Sequence, residues 1–69
     1  MFITVSGIRP YIIDITSIRD VCLSEIRSEI RIHFKNGETA DLCIAFANER
    51  DARKEYLSIA NRLISLNEG

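Results

Sequence analysis

Residues 31–46, RIHFKNGETADLCIAF, read as two β-strands joined at Asn36-Gly37. Asn-Gly is the strongest short signature of a hairpin with a two-residue turn. Apolar and polar residues alternate in both arms, a pattern typical of strands with one buried face. The register of this hairpin therefore decides which side chains enter the core and which stay available for other contacts.

Two registers compete for this hairpin. A two-residue turn places Ile32 opposite Asp41, so that apolar side chains meet polar ones. A three-residue loop, with Gly37 in the left-handed region at its end, brings the apolar residues together. Burial of a large apolar side chain is worth roughly 1.5–3 kcal/mol, so we predict the three-residue loop. Its expected pairs are Ile32 with Ala40, Ile30 with Leu42, Ile26 with Phe46, Arg31 with Asp41, and His33 with Thr39.

The rest of the chain completes a small α+β pattern. The helix is predicted to begin after Asn48, a good N-cap residue, with Asp51 three residues further on. Asp14 to Ser17 is expected to form a tight local turn, because its side-chain oxygens can accept from nearby backbone N–H groups. We expect one antiparallel sheet of four to five short strands, with the C-terminal helix packed on one face, in a single domain over residues 1–69. The predicted strands span residues 2–6, 11–13, 18–23, 26–34 and 38–46, and the predicted helix spans residues 49–66.

This order of short strands, the KNG turn at residues 35–37 and the C-terminal helix is similar in outline to the flagellar swarming-motility family of short proteins. The resemblance extends over most of the chain and implies the same outline of the fold. No activity, cofactor or partner is carried over from it.

The composition limits the classes of function that this chain can have. The chain has 69 residues, is 46% hydrophobic and 28% charged, and has a net charge of −1, which is typical of one globular domain without the basic excess that phosphate binding needs. Two cysteines, neither in a Cys-x-x-Cys pair, and one histidine do not predict a structural zinc site. The N-terminus lacks the basic region of a signal peptide, and no apolar run reaches the roughly 18 residues of a membrane span. We therefore expect a cytoplasmic protein, of the cell or of a host cell, without a cofactor.

The helix has more apolar surface than one core-facing stripe requires. Leu57 and Ile64 lie outside the face formed by Ala52, Tyr56, Ile59, Ala60, Leu63 and Leu66. In one interpretation the small sheet curls around the helix and covers them. In the other they pack on a partner protein, with a second copy of this chain as one candidate, since exposed apolar patches usually mark contacts. The candidate partner interface comprises Leu57, Ala60, Ile64 and Arg53.

The outward face of the sheet is predicted to be polar. A basic strand face formed by Arg27, Arg31, His33 and Lys35 could lie against nucleic acid, although Glu29 interrupts it. His33 could act as a general base or a pH switch, but a solvated strand histidine is the commoner case. Cys22 and Cys43 are expected to flank one central strand about 9–10 Å apart, too far for a disulfide, and are interpreted as small packing residues.

These patterns indicate a binding function rather than catalysis. The sequence has no Gly-rich phosphate loop, metal motif or nucleophile elbow, and one small sheet with one helix leaves little volume for a ligand pocket. The predicted function is a small, non-enzymatic protein-binding module that acts by occupying a surface. A phage or mobile-element inhibitor, in a homodimeric form or not, fits this class by analogy. The alternative is a nucleic-acid-binding regulator that uses the basic strand face.

Overall fold

A computed structural model of the chain describes residues 1–37 and 40–68 and confirms a small α+β fold with antiparallel strands and a C-terminal helix. The strands form two sheets, β1–β2 and β3–β4–β5, instead of the one sheet predicted. The elements are β1 (Phe2–Ser6), β2 (Pro10–Asp14), a 3-10 turn (Ile15–Ser17), β3 (Ile18–Ser24), β4 (Glu29–Phe34), β5 (Leu42–Ala45) and α1 (Glu49–Glu68).

The core consists mainly of isoleucine, gathered from every element of the fold. Apart from an irregularity between Ile18 and Asp20 in β3, alternate residues of each strand point inward, as the period of two predicts, and the helix adds Ala52 and Ile59. Because β-branched side chains favour strands and are stiff at χ1, these residues suit both the local structure and the packing. The buried hydrophobic residues are Ile3, Val5, Ile13, Ile15, Ile18, Ile30, Ile32, Ile44, Phe46, Ala52 and Ile59.

The hairpin of β4 and β5 has a different register from the one predicted. Ile30 lies opposite Ile44 and Ile32 opposite Leu42, two residues away from the expected pairs. A shift of two residues in the strand pairing keeps every side chain on its predicted face of the sheet. It also places large apolar residues opposite one another, where the predicted register placed Ile32 opposite the small Ala40. The expected left-handed Gly37 is also wrong, since no glycine in residues 1–37 and 40–68 has a positive φ. Glu38 and Thr39 lie outside the described residues. The start of the predicted strand 38–46 and the predicted pair of His33 with Thr39 therefore fall on residues that the structure does not describe.

The predicted strand 26–34 is too long, because residues 25–28 form the turn between β3 and β4. Ser24 pairs with Glu29 across this turn, so β4 begins at Glu29. Ile26, which we expected in the core opposite Phe46, is 98% exposed at the tip. Ser28 takes a left-handed conformation with a φ of 52°, and its carbonyl accepts from the Phe46 N–H at 2.9 Å. This bond joins the turn to the end of β5.

The β1–β2 hairpin docks on β5 through its tip. The Ile8 N–H donates to the Ala45 carbonyl at 2.9 Å, and Gly7 lies so close that a Cβ atom there would stand 2.6 Å from the same oxygen. At the other end of the hairpin, the predicted turn after Asp14 is confirmed as a 3-10 turn. The Asp14 carboxylate accepts from the Thr16 N–H at 3.1 Å and from its hydroxyl at 2.7 Å. These contacts fix the two sheets relative to each other.

The helix begins where the sequence predicts and continues two residues beyond the predicted end. Asn48 caps it, because its Oδ1 accepts from the Asp51 N–H at 2.9 Å and its Nδ2 donates to the Asp51 carboxylate at 3.3 Å. The core-facing side chains pack against β3 and β4. Within residues 1–37 and 40–68, no helix has both the length and the apolar character that a membrane span requires.

Candidate functional site

A polar cluster occupies the outer face of the β3–β4–β5 sheet, opposite the core. Arg31 of β4 lies between Cys22 of β3 and Cys43 of β5 in one row across the three strands. This confirms the prediction that the two cysteines flank one central strand. Both are free thiols and both are exposed, so they are more accessible than the partly covered packing residues we expected.

His33 is the centre of this cluster. Its Nδ1 lies 2.9 Å from Oδ2 of Asp41, and its Nε2 lies 3.7 Å from Oδ1 of Asp20 and 3.8 Å from the Cys22 Sγ. The His33 side chain is 20% exposed, so the surrounding groups cover most of the ring. The predicted solvated histidine is therefore a partly buried one, with a thiol and two carboxylates around it. We call Asp20, Cys22, His33 and Asp41 the His33 cluster.

An irregularity in β3 creates the His33 cluster. Ile18 pairs with Phe34 but Asp20 pairs with His33, so the register changes between Ile18 and Asp20. A bulge of this kind changes the face of the sheet to which the following side chains point. Here it places Asp20 and Cys22 on the outer face beside His33. Sequence reasoning missed Asp20 because an alternating pattern does not show a bulge.

The shifted β4–β5 register places Asp41 beside His33. The cross-strand pair expected between Arg31 and Asp41 is therefore wrong, and Arg31 lies opposite Cys43 instead. Hydrogen bonding to the Cys43 sulfur and its charge raise the pKa of Arg31, with smaller contributions from the charges of Glu29 and Asp41.

The predicted basic strand face is divided by acidic groups. Arg27 lies in the turn before β4 and Lys35 lies just after its end. Between them, Arg31 is engaged by Cys43, and His33 stands between two carboxylates. The four residues therefore do not form one uninterrupted basic surface along β4.

The candidate partner interface lies on the outside of α1. Leu57 and Ile64 are 52% and 53% exposed, so the interpretation in which the sheet curls over them is wrong. At about 100° per residue, Leu57 lies roughly 160° around the helix from the buried Ile59. Ala60 is half-buried. Arg53 pairs with Glu25 at 3.1 Å and with Glu49 one turn earlier in the helix.

A second apolar surface, which sequence reasoning missed, covers the outer face of the β1–β2 hairpin. Phe2 and Ile12 are 71% and 76% exposed, and they are diagonal neighbours because Thr4 pairs with Ile12 and Phe2 with Asp14. Diagonal pairs are within reach of aromatic side chains. The signal was present in the sequence, since FITV and YIID carry apolar residues on both faces of their strands.

The chain was compared with protein-family models, with curated proteins and with solved structures, and no match was found in any of the three comparisons.

Proposed function

We propose that this chain is a small, non-enzymatic protein-binding module that acts by covering part of another protein's surface. The observation that carries the proposal is that large apolar side chains stay exposed on two outer surfaces, Leu57 and Ile64 on α1 and Phe2 and Ile12 on the first hairpin. Large apolar side chains that remain together on a small surface usually mark a contact.

The first partner in this proposal is a second copy of the chain. Leu57 and Ile64 are two helical turns apart, so an antiparallel helix pair places Leu57 of each copy against Ile64 of the other. Residues 60 and 61 then lie at the two-fold axis, where the small Ala60 lets the helices approach closely. The interface is isologous, because both copies use the same surface.

Charge supports the same arrangement. Arg50 and Lys54 are exposed on the side of α1 that carries Leu57. In the antiparallel pair they lie toward the C-terminal end of the other helix, whose unpaired carbonyls carry a partial negative charge. A parallel pair would instead bring the two basic segments together, which disfavours it.

Analytical ultracentrifugation tests this part of the proposal. Two apolar residues per helix form a small interface, so we expect weak association, detectable up to about 1 mM, where a complex worth about 4 kcal/mol is half formed. Leu57→Glu with Ile64→Glu should abolish the dimer. The matched control is Ser58→Glu with Ser65→Glu, which adds the same charge at the same spacing at two exposed positions. A monomer at every concentration, or equal dimerisation of both variants, would refute it.

The target protein in this proposal contacts the outer face of the β1–β2 hairpin through an apolar patch of its own. Among residues 1–37 and 40–68, Phe2 and Ile12 are the most exposed pair of neighbouring apolar residues on a strand. An inhibitor from a phage or mobile element, working in the cytoplasm of a cell or host cell, is the biological class we propose. Exposed free thiols at Cys22 and Cys43 suit a reducing compartment.

Affinity capture with paired variants tests the target contact. We expect one or a few proteins to bind the wild-type chain, to be lost with Phe2→Ser plus Ile12→Thr, and to be retained with Leu57→Glu plus Ile64→Glu. Captured proteins that are unaffected by the hairpin substitutions would exclude this face as the target site.

A further inference from the structure

We propose that the His33 cluster is a Zn²⁺ site in which Asp20, Cys22 and His33 are the ligands and a fourth coordination position is open to solvent. This inference goes beyond the proposed binding function and does not depend on it. The two β-strands that carry the ligands are paired directly, with Asp20 opposite His33 and Cys22 two residues further along β3.

The distances approach those of a tetrahedral zinc site. With Zn–S near 2.3 Å and Zn–N or Zn–O near 2.0–2.2 Å, neighbouring ligand atoms stand about 3.3–3.6 Å apart. Here the His33 Nε2 lies 3.8 Å from the Cys22 Sγ and 3.7 Å from Oδ1 of Asp20, and all three ligand atoms lie within 4.8 Å of one another. We expect rotation of the three side chains on this pair of strands to complete the site.

Asp41 supplies the outer support that metal-bound histidines commonly have. Its carboxylate lies 2.9 Å from Nδ1 of His33, and a neutral ring that donates its Nδ1–H to Asp41 directs the Nε2 lone pair toward Cys22 and Asp20. A carboxylate–histidine pair of this kind fixes the tautomer and orientation of a zinc ligand. The His33 cluster therefore has both a ligand set and the residue that orients it.

The same cluster is less suited to a cysteine nucleophile. A Cys–His–Asp arrangement needs a thiolate that nearby groups stabilise, yet the ligand atom of Asp20 lies within 4.8 Å of the Cys22 sulfur. Two anionic groups that converge on one point repel each other unless a cation lies between them. In a zinc site the divalent ion lies between the Asp20 carboxylate and the coordinated Cys22 thiolate and offsets both negative charges.

The ligand chemistry selects the metal. Sulfur, imidazole nitrogen and carboxylate oxygen together suit Zn²⁺, whereas Ca²⁺ and Mg²⁺ require oxygen ligands almost exclusively. The cluster borders an open groove of about 360 Å³ whose lining includes Cys22, His33, Arg27 and Arg31. Three protein ligands with an accessible fourth position form the pattern of a zinc ion that exchanges water or an anionic group.

Titration of the reduced, metal-free chain with Co²⁺ tests the site, because tetrahedral Co²⁺ bound to a thiolate gives an intense charge-transfer band in the near ultraviolet. We expect the band to saturate at one Co²⁺ per chain and to disappear when Zn²⁺ is added. Cys22→Ser should remove it. The matched control is Cys43→Ser, which changes the other exposed thiol on the same face and should leave the band intact.

The other members of the cluster make the test specific. Asp41→Asn should weaken Co²⁺ binding by about 10- to 100-fold while the band keeps its shape. Asp20→Asn and His33→Gln should weaken binding more than Asp41→Asn does, and circular dichroism checks that each variant is folded. Absence of the band in the wild-type chain, or a band that depends on Cys43 instead of Cys22, would overturn the assignment.

Discussion

At the scale of single residues, two positions show how closely local chemistry controls this fold. Gly7 permits the tip of the first hairpin to touch the backbone of β5, and Asp14 organises the turn that leads into β3. Neither role could be predicted in full from the sequence. The turn at Asp14 was expected from the Asp, Thr and Ser side chains. The close approach at Gly7 could not be expected, because it depends on a contact with Ile44 and Ala45 of β5, which lie far away in the sequence.

Gly7→Ala should destabilise the protein by about 1–3 kcal/mol, because the new Cβ would meet the Ala45 carbonyl oxygen at 2.6 Å and Cγ2 of Ile44 at 2.7 Å. Gly37→Ala is the matched control. Its Cβ would have no atom within 4 Å, so we expect no loss and a gain of up to about 0.4–1 kcal/mol. Urea unfolding measures both, and equal effects of the two substitutions would contradict the docking of the hairpin on β5.

Asp14→Ala should reduce stability at neutral pH, and the deficit should shrink in acid. The hydrogen bonds from Thr16, together with the N-terminal ammonium 3.4 Å away, hold the pKa of Asp14 below its usual value. Its stabilising effect is therefore complete above the unfolded pKa near 4 and is lost as the pH falls through the lower folded pKa. Urea unfolding of the wild-type chain and of Asp14→Ala, from neutral to acidic pH, measures this difference in stability. A difference that does not change with pH would show that the carboxylate charge is not involved.

At the scale of elements, the sequence predicts which elements form and which side of each is buried better than it predicts the register between strands. The helix and its Asn48 cap, and the shared face of Ile30 and Ile44, follow from local pattern alone. The turn at residues 25–28 does not, because Ile26 also fits the alternating pattern of a strand. The register of β4 with β5 and the bulge in β3 do not either, because each depends on how distant residues match in size. These same features assemble the His33 cluster, so its members Asp20 and Asp41 could not be predicted around His33.

A pair of isoleucines tests the placement of the β3–β4 turn. Ile30→Ala should cost about 2–5 kcal/mol, because its fully buried side chain leaves a cavity between β4 and the helix layer. Ile26→Ala should change stability by less than about 0.5 kcal/mol, since this side chain is exposed at the turn. Thermal and urea unfolding measure both. A large loss of stability in Ile26→Ala would show that Ile26 is buried in the core and would contradict the turn at residues 25–28.

At the scale of the whole molecule, three outer surfaces of the described residues carry side chains that suit a contact. The helix carries Leu57 and Ile64, the first hairpin carries Phe2 and Ile12, and the second sheet carries the His33 cluster. Apolar groups on two surfaces favour contacts with proteins, and the polar cluster on the third favours a metal ion. The sequence indicated the helix surface through its wide apolar arc, while the other two surfaces required the strand pairing.

Disulfide trapping across the helix surface tests the central claim, that Leu57 and Ile64 mediate protein contact, most directly. In a Cys22→Ser, Cys43→Ser background, Asn61→Cys places a thiol near the two-fold axis of the antiparallel pair, and Ser58→Cys places one to the side. We predict that mild oxidation links the Asn61→Cys chains into dimers much faster than the Ser58→Cys chains, and that Leu57→Glu removes the difference. Equal rates for the two variants, or no linked dimer at millimolar concentration, would contradict the account.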